Sequence, residues 1–296
     1  MELRQLKTFR TVATLRSFNR AAVLLDYAQS TVSEQIKALE TDLDVRLFKR
    51  AGRRVTLTDA GEILLLYSQK ILNLEEEIRT EVDNSEEVHG SLSIRIPETV
   101  STYYLPVAFK KFHQRFPKVS FNLINCSYFG LLEEFRSGII NLAFLISDNF
   151  KATGIETEKL FSLPLAIVVS PSHPLTTKEK IDLHDVTKET LLVPSADCSY
   201  VMMLEKMLTE EKVRLSTVLH FNCIEAIKQF VMAGAGLTVL PQIAVEQEIA
   251  AGRLVELSWL GGPIYADLLM IWQKNKWLPP ILEEFIKITR ETLVSP

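Results

Sequence analysis

Two short amphipathic stretches lie only a few residues apart within residues 17–43, and this spacing restricts the fold more than any other feature of the chain. The first follows Ser17, a predicted N-cap, and the second begins near Gln29. A third stretch at about residues 2–14 repeats apolar residues every three positions: Leu3, Leu6, Phe9 and Val12. Such spacing places apolar residues on one helix face. Residues 1–60 therefore predict three helices, with the second and third joined as a helix-turn-helix.

A basic turn follows these helices. The segment "LFKRAGRRVTLT" has Gly52 at its tip and predicts a short hairpin or wing. Residues 1–60 hold 11 Lys and Arg against 7 Asp and Glu, whereas residues 61–90 hold 2 against 8. The net charge of −4 for the chain therefore hides a basic first segment. Because salt confines fields to about 8–10 Å, such a segment can meet a polyanion.

Residues 58–88 predict one long helix with a single apolar stripe. The stripe residues recur at spacings of three and four: Tyr67, Ile71, Leu74, Ile78 and Val82. A stripe on a helix of this length favours packing against a second copy of the helix. The alternative is that the helix lies against its own protein.

From residue 91 onward, apolar strands alternate with amphipathic stretches. The strands are "SLSIRI", "VSFNLIN", "NLAFLIS", "LAIVVS", "TLLVP", "VLHFN", "GLTVLP" and "ADLLMIWQ"; the helical stretches are 103–116, 130–137, 200–212, 224–233 and 243–250. This alternation predicts an α/β domain with parallel-rich sheets covered by helices. Ligands of such folds lie beyond the carboxyl ends of the strands.

The segment from Ser17 to Gly61 closely resembles the DNA-binding domain of LysR-type transcriptional regulators. The matching residues are Ser17, Ala21, Ala22, Leu25, Gln29, Ser30, Val32, Ser33, Ile36, Leu39, Glu40, Leu43, Leu47, Phe48, Arg50, Leu57, Thr58, Ala60 and Gly61. The resemblance implies a winged helix-turn-helix over residues 1–60, a linker and dimerisation helix over 61–90, and a two-lobed α/β effector domain over 91–296, similar to periplasmic binding proteins. Lobe I would comprise about 91–161 and 268–296, and lobe II about 162–267.

The resemblance implies that the third helix enters the major groove of promoter DNA. Gln29 can pair bidentately with adenine, and short hydroxyl side chains can reach bases or phosphates. The wing arginines suit phosphate or minor-groove contact. We therefore expect DNA contacts from Gln29, Ser30, Thr31, Ser33, Gln35, Lys37, Arg50, Arg53 and Arg54, with Gln35 and Lys37 touching backbone. For Ser30 and Ser33 the alternative is helix capping with solvent exposure.

Two positions depart from the family pattern. Ala28 stands where the family more often has Ser, which removes a hydroxyl from the helix start. Asp44 stands where the family usually has Gly, a residue suited to a left-handed backbone at a helix end. Because Asp tolerates this conformation better than most residues, we expect the turn to survive with some loss of stability.

Family members sense a small molecule, generally a metabolite, in the cleft between the lobes. Residues that follow strand ends or start helices are the expected effector contacts: Thr99, Ser101, Thr102, Ser127, Phe129, Ser147, Phe150, Ser195, Cys198, Ser199, Asn222 and Glu225. The alternative for each is ordinary loop capping. Val201 stands where related regulators often have Arg, which weakens the case for a strongly anionic effector, although helix N-termini alone can bind carboxylates.

Cys198 offers a redox alternative. A peroxide-sensing subgroup of the family uses a cysteine pair in this lobe, but Cys198 and Cys223 are 25 residues apart, which does not match that subgroup's closer spacing. A second alternative is a small-molecule binding protein without a DNA function, against which the first 60 residues argue.

An enzyme is not expected. The five histidines show no metal-binding spacing, and there is no GxSxG elbow. We expect no cofactor, no metal and no membrane partner, and a cytoplasmic location because no signal peptide is recognisable. The expected assembly is a homodimer through the linker helix, pairing into a homotetramer, with RNA polymerase as a further partner.

Overall fold

The computed structural model describes residues 1–51, 54–82, 89–125, 130–147, 150–194, 209, 211, 215–274 and 278–293. The chain divides into two units. The first contains residues 1–90 together with 133–139, and the second contains residues 91–132 and 140–296.

The first unit begins with the three predicted helices, which the structure confirms as α1 (Leu3–Leu15), α2 (Phe18–Leu25) and α3 (Gln29–Leu43). The Ser17 side chain caps α2 by accepting the Arg20 N–H at 3.3 Å. The apolar faces meet in two small core clusters, and their buried side chains include Leu6, Phe9, Ile36 and Leu39 in one and Val12 and Val32 in the other. The core thus fixes the outward face of α3.

The turn after α3 survives with Asp44 in place of Gly. Asp44 adopts a left-handed conformation with φ 53°, and its N–H donates to the carbonyl of Thr41 at 3.3 Å. The Glu40 carboxylate then accepts the N–H groups of Leu47 and Phe48 at 2.8 and 3.4 Å. These contacts direct the chain into the antiparallel pair β1 (Phe48–Ala51) and β2 (Arg54–Leu57). The predicted hairpin is confirmed, and its tip at Gly52 and Arg53 lies outside the described residues.

A buried hydrogen bond joins α1 to α3. The Thr8 hydroxyl donates to Gln35 Oε1 at 2.7 Å, and the two residues are 1% and 9% exposed. Gln35 therefore has a structural role in the three-helix head (residues 1–60), and its contact with the DNA backbone stays a prediction. Its polar side chain interrupts the apolar face of α3 but is satisfied by a neighbour 27 positions away in sequence.

The long helix α4 (Asp59–Val82) divides its apolar residues between two environments. Leu72 is 3% exposed and lies in one core cluster with Leu6 and Phe9, against which Ile71 also packs. Three other stripe or neighbouring residues are more than half exposed: Tyr67, Leu74 and Ile78. Packing against its own protein thus accounts for Ile71 and Leu72, while packing of the exposed residues against a second copy stays a prediction. Residues 83–88, the predicted end of this helix, lie outside the described range.

The second unit contains a mixed sheet. Its strands are β3 (Gly90–Ile96), β4 (Val119–Asn125), β5 (Leu142–Ser147), β6 (Ile155–Val169), β7 (Thr190–Pro194), β8 (Thr217–Phe221), β9 (Leu237–Pro241), β10 (Val255–Leu257) and β11 (Ile264–Gln273). The strand order is β4-β3-β5-β11-β6-β9-β7-β8, with β10 also paired to β6. This confirms the α/β class, although the predicted strand "LAIVVS" is only the end of the 15-residue β6.

Helical elements alternate with these strands along the chain. They are a π-helical turn (Val100–Tyr104), α5 (Leu105–Arg115), α6 (Leu131–Arg136), a 3₁₀ turn (Pro174–Thr177), α7 (Leu183–Thr187), α8 (Ile224–Met232), a second 3₁₀ turn (Gln242–Ala244), α9 (Glu246–Ala250) and α10 (Pro280–Leu293); most of α6 belongs to the first unit. Most of the predicted helix 200–212 lies outside the described residues. Within the described part of the chain, none of the helices has the length and apolar character needed to cross a membrane.

The antiparallel strands β6 and β11 connect two groups of strands. β5 pairs with β11 over Asp267–Trp272, whereas β9 pairs with β6 over Leu165–Val168. We call the part with β3, β4 and β5 lobe I and the part with β7 to β10 lobe II. The register of β6 against β11 shifts between Leu268 and Leu269, where the sequence analysis placed the exchange between lobes.

Asp267 lies at this exchange and is held from two sides. Lys159 Nζ lies 2.7 Å from Asp267 Oδ1, and the Ser162 hydroxyl donates to the same oxygen at 2.7 Å. Burial opposes ionisation of Asp267, but these two hydrogen bonds outweigh it and lower the pKa below its ordinary value of 3.8.

We predict that the Thr8–Gln35 pair behaves as a coupled unit. Thr8→Val keeps the shape but leaves the Gln35 oxygen without its donor, so we expect a loss of about 1–3 kcal/mol of unfolding free energy. Thr8→Val combined with Gln35→Met removes both polar groups, and we expect it to lose less than the sum of the single changes. Urea unfolding of the four proteins measures this coupling, and simple additivity would contradict it.

We predict that Asp267 contributes to the acid sensitivity of the domain. A carboxyl whose folded pKa is lowered stabilises the fold above its unfolded pKa and loses that contribution as pH falls through the folded value. Asp267→Asn should therefore show a shallower fall in unfolding free energy between about pH 5 and pH 3 than the unmodified protein. Denaturant titrations at each pH measure the unfolding free energy of both proteins. Asp182→Asn, which changes a second carboxyl group, shows whether the effect is specific to Asp267. Parallel curves for the unmodified protein and Asp267→Asn would overturn the prediction.

Candidate functional site

The start of α3 presents short polar side chains on the surface of the head. Gln29 and Ser30 are exposed, whereas Thr31 and Ser33 are half-buried. Gln29 Nε2 donates to Ser33 Oγ at 3.0 Å, so these two predicted contacts form one hydrogen-bonded pair. Ala28 is the N-cap residue and provides no side-chain acceptor. The first N–H groups of α3 therefore meet the surface without a side-chain cap, an arrangement that favours an incoming phosphate.

A depression of about 520 Å³ lies beside this helix start. It is lined by Phe18, Ser33, Ile36, Lys37, Glu40, Arg46 and Phe48. The predicted residue Lys37 is exposed at its rim. Arg46 is also there, with 83% of its side chain exposed and Nη1 3.2 Å from Glu40. Sequence reasoning did not select Arg46, although a basic residue directly before the wing was a usable signal.

The wing arginines Arg50 and Arg54 lie in the hairpin formed by β1 and β2. Arg50 stands opposite Val55 and Arg54 opposite Ala51 in the hairpin. Both residues therefore lie near the tip of the wing. Arg53 lies outside the described residues.

Several effector candidates lie at or after the carboxyl ends of parallel strands. β3 runs parallel to β5, so these strands end, at Ile96 and Ser147, at the same edge of the sheet. β8 runs parallel to β7, with Phe221 opposite Pro194. Asn222 and Glu225 follow β8 and are exposed.

The candidates in lobe I differ in accessibility. Thr99 is 1% exposed, and its hydroxyl has no hydrogen-bond partner among the described residues. The Ser101 hydroxyl donates to the carbonyl of Glu98 at 2.9 Å, which is a local turn contact, and Thr102 is exposed. Ser147 and Phe150 are buried. Five further predicted contacts lie outside the described residues: Ser127, Phe129, Ser195, Cys198 and Ser199.

Glu98 joins the two lobes and was not selected from the sequence. Its two carboxylate oxygens accept the N–H of Ile224 at 3.1 and 3.0 Å. Glu98 follows β3 in lobe I, and Ile224 begins α8 in lobe II. The available signal was a charged residue two positions after the end of a strand, but the prediction selected the neighbouring hydroxyl residues instead.

Lys228 anchors α8 to α9. It is 6% exposed and lies 2.9 Å from Glu225 and 3.1 Å from Glu248, which Arg253 also contacts at 3.3 Å. Burial opposes the charged form of Lys228, but the hydrogen bonds to these carboxylates raise its pKa above the ordinary value. The same hydrogen bond from Lys228 lowers the pKa of Glu225. Glu225, a predicted effector contact, is therefore committed to an ion pair.

Aromatic residues of the π-helical turn also approach lobe II. Burial raises the pKa of Tyr104, and the Glu246 carboxylate on α9 adds to this effect. The Tyr104 ring packs against Phe161 with 5.2 Å between centroids. Tyr103 contributes to the raised pKa of Lys228. Glu98 therefore contacts the start of α8, and the charge of Glu246 on α9 influences the pKa of Tyr104.

Cys223 is exposed and caps α8 weakly. Its Sγ accepts the Ala226 N–H at 3.4 Å, and it forms no disulfide. The structure thus gives Cys223 a capping role, while Cys198, on which the redox alternative depends, is not among the described residues.

Comparison with known families matches both units. Residues 3–62 match bacterial regulatory helix-turn-helix proteins of the lysR family, and residues 85–294 match the LysR substrate binding domain. The chain belongs to the LysR family. It is a DNA-binding transcriptional regulator with an effector-binding domain, and the family consists of transcriptional regulators rather than enzymes.

Individual relatives agree over the full length. The chain is 38% identical over 296 residues to the HTH-type transcriptional regulator YwqM of Bacillus subtilis (strain 168), covering 99% of each. It is 31% identical to the HTH-type transcriptional regulator GltR of the same strain, covering 98% of this chain and 97% of the relative. Full-length CbnR, solved with its target DNA, superposes with a TM-score of 0.69 at 25% identity, covering 99% of this chain and 100% of that chain.

We predict that restoring a cap to α3 stabilises the protein. Ala28→Ser supplies a hydroxyl that can accept an N–H of the first turn, so we expect a gain of about 1 kcal/mol in unfolding free energy. Ala28→Val, which adds bulk without an acceptor, serves as the control and should give no gain. Chemical denaturation measures both, and an equal effect of the two substitutions would contradict the capping explanation.

Proposed function

We propose that α3 reads bases in the major groove through Gln29 and Ser33, with Ser30 and Thr31 beside them. The observation that carries this proposal is the uncapped, polar start of α3, which the core holds outward by burying Val32, Ile36 and Leu39. Short side chains there permit close approach, and a Gln can pair bidentately with adenine. Because Gln29 Nε2 donates a hydrogen bond to Ser33 Oγ, each side chain would hold the other in position for contact with a base.

Basic residues around this helix supply the phosphate contacts. Lys37 and Arg46 are exposed beside the start of α3, and Arg50, Arg53 and Arg54 belong to the wing. Phosphate contacts fix the register of a protein on DNA without reading its sequence. We assign the orientation of the head to this group and base selection to Gln29 and Ser33.

The exposed side chains of α4 support dimerisation. Tyr67, Leu74 and Ile78 are each more than half exposed, and they recur at helical spacing. Burial of such a stripe against the same stripe of a second copy removes apolar area from water. We propose a homodimer through α4 and a homotetramer formed by two such dimers, which would place several heads on one promoter. RNA polymerase is a further proposed partner, and the cytoplasm is the proposed location.

The cleft between the lobes is the proposed effector site. The proposed contacts lie at or after the carboxyl ends of strands, and the parallel pairing of β3 with β5 and of β7 with β8 supports this: Thr99, Ser101, Thr102, Ser147, Phe150, Asn222 and Glu225. The sequence adds Ser127, Phe129, Ser195, Cys198 and Ser199 to this set. A small molecule that binds one arrangement of the lobes better than another shifts the population toward it and changes the placement of the heads.

Footprinting on the DNA upstream of the protein's own gene and its neighbours tests the function as a whole. We expect protection at a partly palindromic site and a change in the protected or bent region when the correct metabolite is added. Absence of salt-dependent, sequence-selective protection would favour a binding protein without a DNA function.

We predict that base reading and phosphate contact separate in two variants. Gln29→Ala should weaken binding to the specific site about 10-fold and leave binding to a scrambled duplex nearly unchanged. Lys37→Gln should weaken both and reduce the slope of log K against log salt by about 1. Fluorescence anisotropy over a salt series gives these values; equal losses on both duplexes for both variants would reject the assignment of Gln29 to bases.

A further inference from the structure

We propose that Glu98 is an internal ligand of the interlobe cleft. Its carboxylate fills the anion position at the start of α8 and thereby selects against effectors that would place a carboxylate there. The group that an effector places at this position is therefore uncharged and polar, or cationic. The inference rests on the proposed function only in taking the cleft as the effector site.

The first step is the geometry at α8. Both oxygens of Glu98 lie within 3.1 Å of the Ile224 nitrogen, the first N–H of a nine-residue helix. The N-cap residue is Cys223, whose sulfur is a weak acceptor and reaches only the Ala226 N–H. A helix start with a weak cap favours an anion, because its N–H groups and dipole both attract negative charge. Glu98 supplies that anion from within the chain.

The second step is the position of Glu98 between the lobes. Glu98 and Ile224 are 126 residues apart in sequence and belong to opposite lobes. Glu98 shares its segment with Tyr104, whose ring packs against Phe161 of β6 with 5.2 Å between centroids. The segment also contains the π-helical turn, a local structure frequent at functional sites. The Glu98 contact therefore belongs to the surface where one lobe meets the other.

The third step concerns charge. A second carboxylate at the start of α8 would lie beside Glu98 and be repelled by it. Lys228, the basic residue of α8, is engaged by Glu225 and Glu248 and is 6% exposed. Directly after Glu98, the buried Thr99 hydroxyl has no hydrogen-bond partner in the described part of the chain. The Glu98 carboxylate and the engaged Lys228 together favour an uncharged or cationic group at this position.

The contact also gives such an effector a way to act. An N–H or cationic group that donates to Glu98 competes with the Ile224 N–H for the same carboxylate. Occupation of the cleft would then weaken the direct bond between the lobes and replace it with a bond through the effector. The differential contact that a population shift requires is therefore present at Glu98.

Chemical rescue by acetate tests the proposal on the full-length protein. Glu98→Ala removes Cγ and the carboxyl group, a fragment that acetate replaces atom for atom. We expect this variant to melt about 2–4 °C lower than the unmodified protein. Sodium acetate at pH 7 should restore at least half of that loss in a saturable manner, whereas acetamide or sodium chloride at equal concentration should not, since only the carboxylate carries the charge.

Two further variants make the result specific. Glu98→Gln keeps the position at the start of α8 filled and should show no response to acetate. Glu179→Ala removes an exposed acid away from α8, so acetate should stabilise it no more than the unmodified protein. An equal acetate response of Glu98→Ala, Glu179→Ala and the unmodified protein, or no response in any of them, would overturn the proposal.

DNA binding is measured separately on the same proteins. If acetate rescues Glu98→Ala while the unmodified protein shows no selective DNA binding, the anion position stands and the proposed function fails. If DNA binding is selective but acetate has no effect on Glu98→Ala, the function stands and the role of Glu98 is rejected.

Discussion

The antiparallel pairing of β6 with β11 is the interaction on which the effector domain depends. These strands carry the strands of lobe I on one part of their length and those of lobe II on another. Because the backbone pairing is continuous except for the shift at Leu268, each lobe has a defined edge from which its loops begin. Parallel pairing within each lobe then orients the carboxyl ends of several strands toward one side. The positions of Glu98 and Ile224 follow from this arrangement.

The parts that could be predicted from the sequence are those specified by local spacing. The bounds of α3 were predicted closely because Val32, Ile36 and Leu39 must share one face, and the hairpin was predicted because a basic turn with Gly52 separates two short extended runs. Asp44 was correctly expected to accept the left-handed turn. Eight of the nine strands of the described sheet were also found at least in part, since apolar runs between helical stretches have few other interpretations, but the three-residue β10 was not predicted.

The parts that could not be predicted depend on pairs distant in sequence. Gln35 looked like an outward polar residue because nothing near it reveals Thr8, which makes it a buried acceptor. Lys228 and Glu248 are ordinary helix residues until α8 and α9 pack together. Glu98 precedes its partner by 126 positions, so its role as a bridge required the tertiary structure. Local sequence patterns thus predicted the helices and strands, whereas the polar pairs form only when elements distant in sequence pack together.

The burial of Leu72 has a consequence for how the head can be studied. Leu72 belongs to α4, yet it lies in the same core cluster as Leu6, Phe9 and Leu39 of the three-helix head. A fragment that ended near residue 60 would retain the recognition helix and the wing but would expose part of their core to water. Such a fragment would report the behaviour of a damaged head. A minimal fragment for DNA-binding work should therefore extend through α4 to Val82.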